Sequence, residues 1–149
     1  MEDVMAKKPV VDALKSLLAD YYALYLKTQN YHWNVEGQNF RALHLLFEEQ
    51  YTDLATAIDT IAELIRGLGE KAPASFDFYS KSATIKSGNE NAKAEQMVKE
   101  LAEDQSLIQK TLQNAFDAAQ KSGDEVVIGF AIERMTVHRK AAWMLRSSL

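Results

Sequence analysis

The stretch NYHWNVEGQNFRALHLLFEEQYTDLATAIDTIAELIR, residues Asn30 to Arg66, decides the fold. From Phe40 to Arg66 it contains no Gly or Pro, and Leu43, Phe47, Leu54, Ile61 and Leu64 recur at helical spacing. That pattern predicts one long helix. If each residue turns the helix by about 100° and His44 is set at zero, Glu48 falls near 40°, Asp59 near 60° and Glu63 near 100°. The apolar stripe averages about −110° on the same wheel. The side chains suited to metal binding therefore lie roughly opposite the face that enters a bundle core.

His44 and Glu63 are about 28 Å apart along such a helix, too far to share an ion within one chain. The pairs His44/Glu63 and Glu48/Asp59 nevertheless have a common midpoint, between Asp53 and Leu54. A two-fold axis placed there, with an antiparallel copy, sets His44 opposite the other copy's Glu63 and Glu48 opposite its Asp59. A two-fold contact is self-complementary, so two equal sites result. Thr52, Ala55 and Thr56 near the axis are small and let the helices approach.

Outward from this helix, the chain predicts more of the same. Its 149 residues suit one domain with a sizeable core, and two Pro and six Gly favour helices. Val11, Leu14, Leu18, Tyr21, Tyr25, Thr28 and His32 step by threes and fours, predicting a first helix over about 9–35 with Pro9 in its first turn. His32 closes that inward stripe. Gly37 stops the first helix, Asn39 is a plausible N-cap for the second, and Gly69 and Pro73 end the second.

Residues 70–89 form a long connection, in which Phe76, Phe78 and Tyr79 predict a short helix or turn with docking aromatics. A third helix is predicted over about 90–121, with Ala94, Val98, Leu101, Ile108, Leu112, Ala115 and Ala119 inward. Gly123 and Asp124 provide a stop and a cap. A fourth helix follows over about 125–146, with Ile128, Ala131, Met135, Ala142 and Leu145 inward and His138 on its apolar face. The expected fold is all-α: a four-helix bundle with one long crossover. A short tail, 1–8, precedes a single domain over 9–149.

There is no cysteine, hence no disulfide, thiolate site or cysteine nucleophile. The first residues lack an apolar signal core and no run reaches membrane-spanning length, so a soluble cytoplasmic protein is expected. The net charge of −4 argues against a chain built to bind polyanions.

If His32 reaches the same place, the candidate ligands are two imidazoles and three carboxylates. Such mixed nitrogen and oxygen donors suit iron, manganese, zinc or cobalt. Three carboxylates repel one another unless cations lie between them. The competing reading is ordinary: charges along a helix are commonly a solvated face, and a single buried histidine is commonly a satisfied core group. The Glu-x-x-His pair of di-iron bundles is absent, which disfavours a centre inside one chain.

The run Asn30-Tyr31-His32-Trp33-Asn34-Val35, then Phe40, Leu43-His44, Phe47-Glu48-Glu49, Asp59, Ala62-Glu63, Arg66 and Gly69, closely resembles the Dps family of miniferritins. The segment from Val137 to Ser147 is similar to that family's last helix. The resemblance implies a ferritin-like four-helix subunit with a short helix in the crossover and a hollow twelve-subunit shell. It also implies a di-iron ferroxidase site shared across a dimer, with His32, His44 and Glu48 from one subunit and Asp59 and Glu63 from the other.

In this family an aspartate often stands where this chain has Glu48. The implied reaction is oxidation of Fe²⁺ to Fe³⁺, with hydrogen peroxide preferred over oxygen, followed by storage of ferric mineral and protection against oxidative stress. Zn²⁺ is expected to compete for the site. Trp33 is implied to lie near the iron, either as an electron donor or as an aromatic interface anchor. Acidic pores of the family lie near the start of the last helix, which makes Asp124, Glu125 and Glu133 candidates. The alternative role is DNA condensation. Lys7 and Lys8 are offset by Glu2 and Asp3, so weak or absent DNA binding is expected near neutral pH.

Overall fold

A computed structural model describes residues 4–149 of the protein, with side chains from Lys7 onward. Glu2 and Asp3, whose charges offset Lys7 and Lys8, lie outside the described residues. Five helices follow in order: α1 Val4–Asn34, α2 Phe40–Gly67, α3 Phe76–Ser82, α4 Ala94–Ser122 and α5 Glu125–Arg146. The described residues contain no strand.

Two helical hairpins make the bundle. The short link 35–39 turns α2 back against α1, and Gly123 and Asp124 turn α5 back against α4; α1 also packs on α4. Gly123 takes the left-handed conformation (φ 74°) that ends α4, and the Asp124 carboxylate accepts the Val127 N–H at 3.1 Å to cap α5. Both signals are legible in the sequence.

The core is continuous. Leu14, Leu17, Leu18 and Leu24 of α1, Phe47, Leu54, Ile61 and Ile65 of α2, and Met97, Leu101, Ile108 and Leu112 of α4 are almost wholly buried. Each contributes on the order of 1.5–3 kcal/mol through loss of apolar surface to water.

The connection between α2 and α4 crosses the bundle and carries α3, which packs on α1. It is held by Asp20, a buried carboxylate on α1. Asp20 accepts the Thr84 amide at 2.6 Å, the Thr84 hydroxyl at 2.9 Å and the Thr111 hydroxyl at 2.6 Å, tying the crossover to both α1 and α4. Farther along, a Cβ at Gly88 would sit 2.9 Å from the Tyr31 ring, so the backbone passes too closely there for a side chain.

Two helix starts differ from the sequence expectation. α1 begins at Val4 rather than near Pro9. Proline already has a helical φ, so a helix that runs through it forgoes one backbone bond without having to stop there. α4 begins at Ala94 rather than near Glu90. The Asn89 side chain accepts the Asn91 amide at 2.9 Å and its carbonyl accepts the Ala92 amide at 2.9 Å, so those residues close a turn first.

Candidate metal centre

The link after α1 brings His32, in that helix's last turn, against His44, in the second turn of α2. The two rings stack with centroids 3.8 Å apart and planes 13° apart. His32 Nδ1 lies 2.6 Å from the His44 carbonyl oxygen, and His44 Nδ1 lies 2.6 Å from the His32 carbonyl oxygen. A carbonyl oxygen carries no hydrogen, so each Nδ1 must donate. In the neutral ring, Nε2 then keeps a lone pair. This reciprocal pair fixes both tautomers and both ring planes, the role that outer-shell hydrogen bonds play for metal-binding histidines.

The stack is braced from both sides. Phe40 lies on His44 with centroids 5.0 Å apart, and the Tyr51 ring meets His32 edge-on at 5.2 Å. His32 is only 6% exposed. Glu48 stands one turn beyond His44 and is half-buried. Tyr51 was not singled out by the sequence reading. Its position seven residues after His44 gives no helical-face signal strong enough to separate it from ordinary core packing.

Asp59 and Glu63 are exposed at the other end of the same unbroken helix, so the separation of about 28 Å between His44 and Glu63 stands. Among the described residues, no set of three or more His, Asp and Glu side chains converges within one chain to hold an ion. Between the two ends the helix face is smooth. The hydroxyls of Thr52, Thr56 and Thr60 turn back onto their own helix, bonding the carbonyls of Glu48, Thr52 and Thr56 at 2.8, 3.4 and 3.3 Å. Thr52, Ala55, Thr56 and Thr60 are all exposed.

Trp33 is 62% exposed and projects from the surface beside the histidines; Trp143 is 60% exposed. Glu63 lines an open hollow together with Asp124 and Glu125, where the end of α2 meets the start of α5. One Asp124 oxygen is engaged in capping α5. Glu133 is exposed farther along α5.

His138, the third histidine, lies inside the bundle and is 2% exposed. Its Nδ1 bonds Gln105 Oε1 at 2.6 Å and its Nε2 bonds the Tyr21 hydroxyl at 2.6 Å. Arg134 Nε donates to the Tyr21 oxygen at 2.9 Å, and its guanidinium forks onto the Asp53 carboxylate at 3.1 and 2.6 Å. The donors run consistently: Arg134 to Tyr21, Tyr21 to His138, His138 to Gln105.

Burial, then the nearby Arg134 charge, pushes the His138 pKa down to about 3, against a small opposing pull from Asp53. Burial raises Tyr21 to about 12, partly offset by Arg134. For Arg134, burial acts to lower the pKa, but the hydrogen bonds and charge of Asp53, with Tyr21, outweigh it and leave the pKa raised. This network joins all four long helices and accounts for every polar atom of the His138 ring.

The fold and the histidine pair define the class: a ferritin-like domain model matches residues 11–149. The chain is 37% identical over 142 residues to DNA protection during starvation protein 2 of Bacillus anthracis, covering 95% of this chain and 97% of that protein. The crystal structure of Dps from Staphylococcus aureus superposes with a TM-score of 0.92 at 34% identity, covering 96% of each chain. The Dps protein of Vibrio cholerae, described as a member of a broad superfamily of ferritin-like diiron-carboxylate proteins, gives 0.93 at 32% identity, over 97% of this chain and 91% of its own. The chain therefore belongs to the Dps family of ferritin-like proteins. Among its described residues no helix is long and apolar enough to cross a membrane.

Proposed function

We propose that this protein is a cytoplasmic ferroxidase and iron store that oxidises Fe²⁺ at sites shared between two subunits of a hollow twelve-subunit shell. One observation carries the reading. His32 and His44 each commit Nδ1 to a backbone carbonyl and leave Nε2 without a protein partner, while the acidic residues suited to complete the site lie at the far end of the same rigid helix. An antiparallel copy related by an axis between Asp53 and Leu54 supplies Asp59 and Glu63, and the smooth threonine–alanine face permits close approach. His32, His44 and Glu48 then bind from one subunit and Asp59 and Glu63 from the other.

Imidazole and carboxylate donors suit both Fe²⁺ and the harder Fe³⁺. Two Fe²⁺ give one electron each to hydrogen peroxide. The O–O bond breaks, two protons are taken up, and two Fe³⁺ and two waters result. Delivering both electrons together avoids hydroxyl radical, and peroxide is proposed as the preferred oxidant over oxygen on the strength of the family resemblance. Ferric product collects as mineral inside the shell, and Asp124, Glu125 and Glu133 are the proposed entry residues for iron.

The test uses two variants, His32→Ala/His44→Ala and Asp59→Ala/Glu63→Ala. Each alone loses rapid iron oxidation, while verified mixed dimers regain one intact site of two. No recovery in those dimers sinks the shared site. Zn²⁺ generally binds such donors more tightly than Fe²⁺ and has no redox chemistry, so saturating Zn²⁺ abolishes the reaction.

DNA binding is the second reading, favoured by the name of the Bacillus anthracis relative. The charge opposes it. At −4 per chain a shell carries twelve times that, and the Lys8 ammonium is already paired with Asp12 at 3.0 Å. A gel-shift near neutral pH and about 0.1 M salt, where screening extends about 10 Å, is expected to show little complex. A submicromolar complex lost on removal of residues 1–8 would reverse that conclusion, by showing that twelve weakly basic N-terminal segments act together.

A further inference from the structure

We propose that four tyrosines, Tyr51, Tyr25, Tyr22 and Tyr79, form an electron relay from the surface at α3 to the histidine pair. The relay lets a site holding a single Fe²⁺ still reduce peroxide by two electrons. The proposal rests on the ferroxidase reading above.

Tyr51 of α2 meets His32 edge-on at 5.2 Å between centroids. Tyr25 of α1 lies 5.9 Å from Tyr51, Tyr22 lies 6.1 Å from Tyr25, and Tyr79 of α3 stacks on Tyr22 at 4.4 Å and 13°. Each ring touches the next, so no transfer step crosses a gap. Three separate helices supply the row. All four rings are half-buried, which limits attack by solvent on a radical held there. The Tyr79 hydroxyl donates to the Pro73 carbonyl at 2.6 Å, fixing the end of the row at the surface turn before α3.

The chain has no cysteine, and both tryptophans are exposed in the subunit; of its six tyrosines these four form the row that starts at His32, while Tyr21 bonds His138 and Tyr31 bonds Glu100. The Tyr25 hydroxyl accepts from Gln29 Nε2 at 3.4 Å and the Tyr79 hydroxyl is bonded to Pro73, so both phenols are held in place as well as packed. Phenylalanine would pack as well but is not oxidised by its neighbours.

The electrons balance as follows. One Fe²⁺ gives one electron to hydrogen peroxide and Tyr51 gives the second. The O–O bond breaks, the Tyr51 phenol and the solvent supply one proton each, and the products are Fe³⁺, two waters and a neutral tyrosyl radical. Electrons from Tyr25, Tyr22 and Tyr79 refill the vacancy in turn, with each phenol regaining its proton. The radical reaches Tyr79, where a small one-electron reductant in solution can quench it.

The experiment loads the assembled protein with one Fe²⁺ per histidine pair and adds peroxide. Samples are freeze-quenched for electron paramagnetic resonance, then digested to locate oxidised tyrosine by mass spectrometry. Wild type should show a tyrosyl signal and modification at Tyr79. Tyr51→Phe should lose both and release trappable hydroxyl radical. Tyr25→Phe should keep a tyrosyl signal but reduce Tyr79 modification to background, and it decides the matter if Tyr51→Phe does not assemble. Equal Tyr79 modification in either variant overturns the relay.

A parallel run with two Fe²⁺ per pair tests the ferroxidase reading by itself. Failure to oxidise iron there removes both proposals, whereas rapid oxidation with no tyrosyl signal in the one-iron sample removes the relay alone.

Discussion

Both nitrogens of His138 are engaged, Nδ1 by Gln105 and Nε2 by Tyr21, whereas His32 and His44 each commit only Nδ1. The three are alike in the sequence: each lies on a helix, and His32 and His138 both fall on an inward face. What separates them is the identity of the partner groups. The pair leans on backbone carbonyls, which can only accept, so Nε2 is necessarily the free atom. His138 stands between an acceptor and a hydroxyl already oriented by Arg134, and nothing remains for a metal. A histidine's burial therefore says little about ligation; its uncommitted nitrogen says a great deal.

The largest effect expected from this contrast is on iron oxidation. His32→Ala or His44→Ala should slow it by at least the roughly 10–100-fold that loss of even an outer-shell partner costs a metal site. His138→Gln should leave the rate within a small factor of wild type, as stopped-flow absorbance of Fe³⁺ would show. A comparable loss in His138→Gln would break the distinction between the two settings.

Stability should respond in the opposite sense. Arg134→Leu removes the donor to Tyr21 and the fork onto Asp53. Asp53 is 42% exposed and can be rehydrated, so the expected cost is about 2–3 kcal/mol rather than the 3–5 kcal/mol of a fully buried pair. The thermal midpoint of the assembled protein should fall by several degrees. No shift would show that the network is incidental to folding.

The contrast also has a pH signature. His138 is neutral in the folded chain, with its pKa lowered from 6.5 to about 3. Between those values the unfolded chain binds the additional proton, so stability is full above about pH 6.5 and is lost as pH falls toward 3. The slope approaches about 1.4 kcal/mol per pH unit well below pH 6.5. His138→Gln should remove that part of the acid sensitivity. Unfolding midpoints that run parallel in the two proteins over this range would place His138 in a wetter setting than the structure gives it.

The smallest effect concerns the surface. Lys8 and Asp12 are 70% and 56% exposed, and Lys8→Ala should change stability by less than about 0.5 kcal/mol. A larger loss in thermal unfolding would mean that α1's first turns are more tightly packed in the assembly than in the subunit.

Much of the fold could be read directly from the residues. Periodicity predicted the four long helices, Gly123 and Asp124 marked the last turn, and the length of 70–89 allowed a crossover. Such features are local, set by spacing and by which residues tolerate a given backbone. Helix geometry also predicted that His44 and Glu63 cannot meet in one chain, because the rise per residue is fixed. Tertiary structure alone decided which atoms meet. The clasp of His32 on His44, the Tyr51 edge against it, and the chain from Asp53 to Gln105 join residues on different helices, whose relative rotation depends on how the whole core packs. Proline's helical φ let α1 run through Pro9, and the turn closed by Asn89 delayed α4, so neither Pro9 nor Glu90 marks a helix start. Sequence determined which faces were apolar and roughly where each helix ran; packing determined that His32 and His44 each keep one nitrogen free and that His138 keeps none.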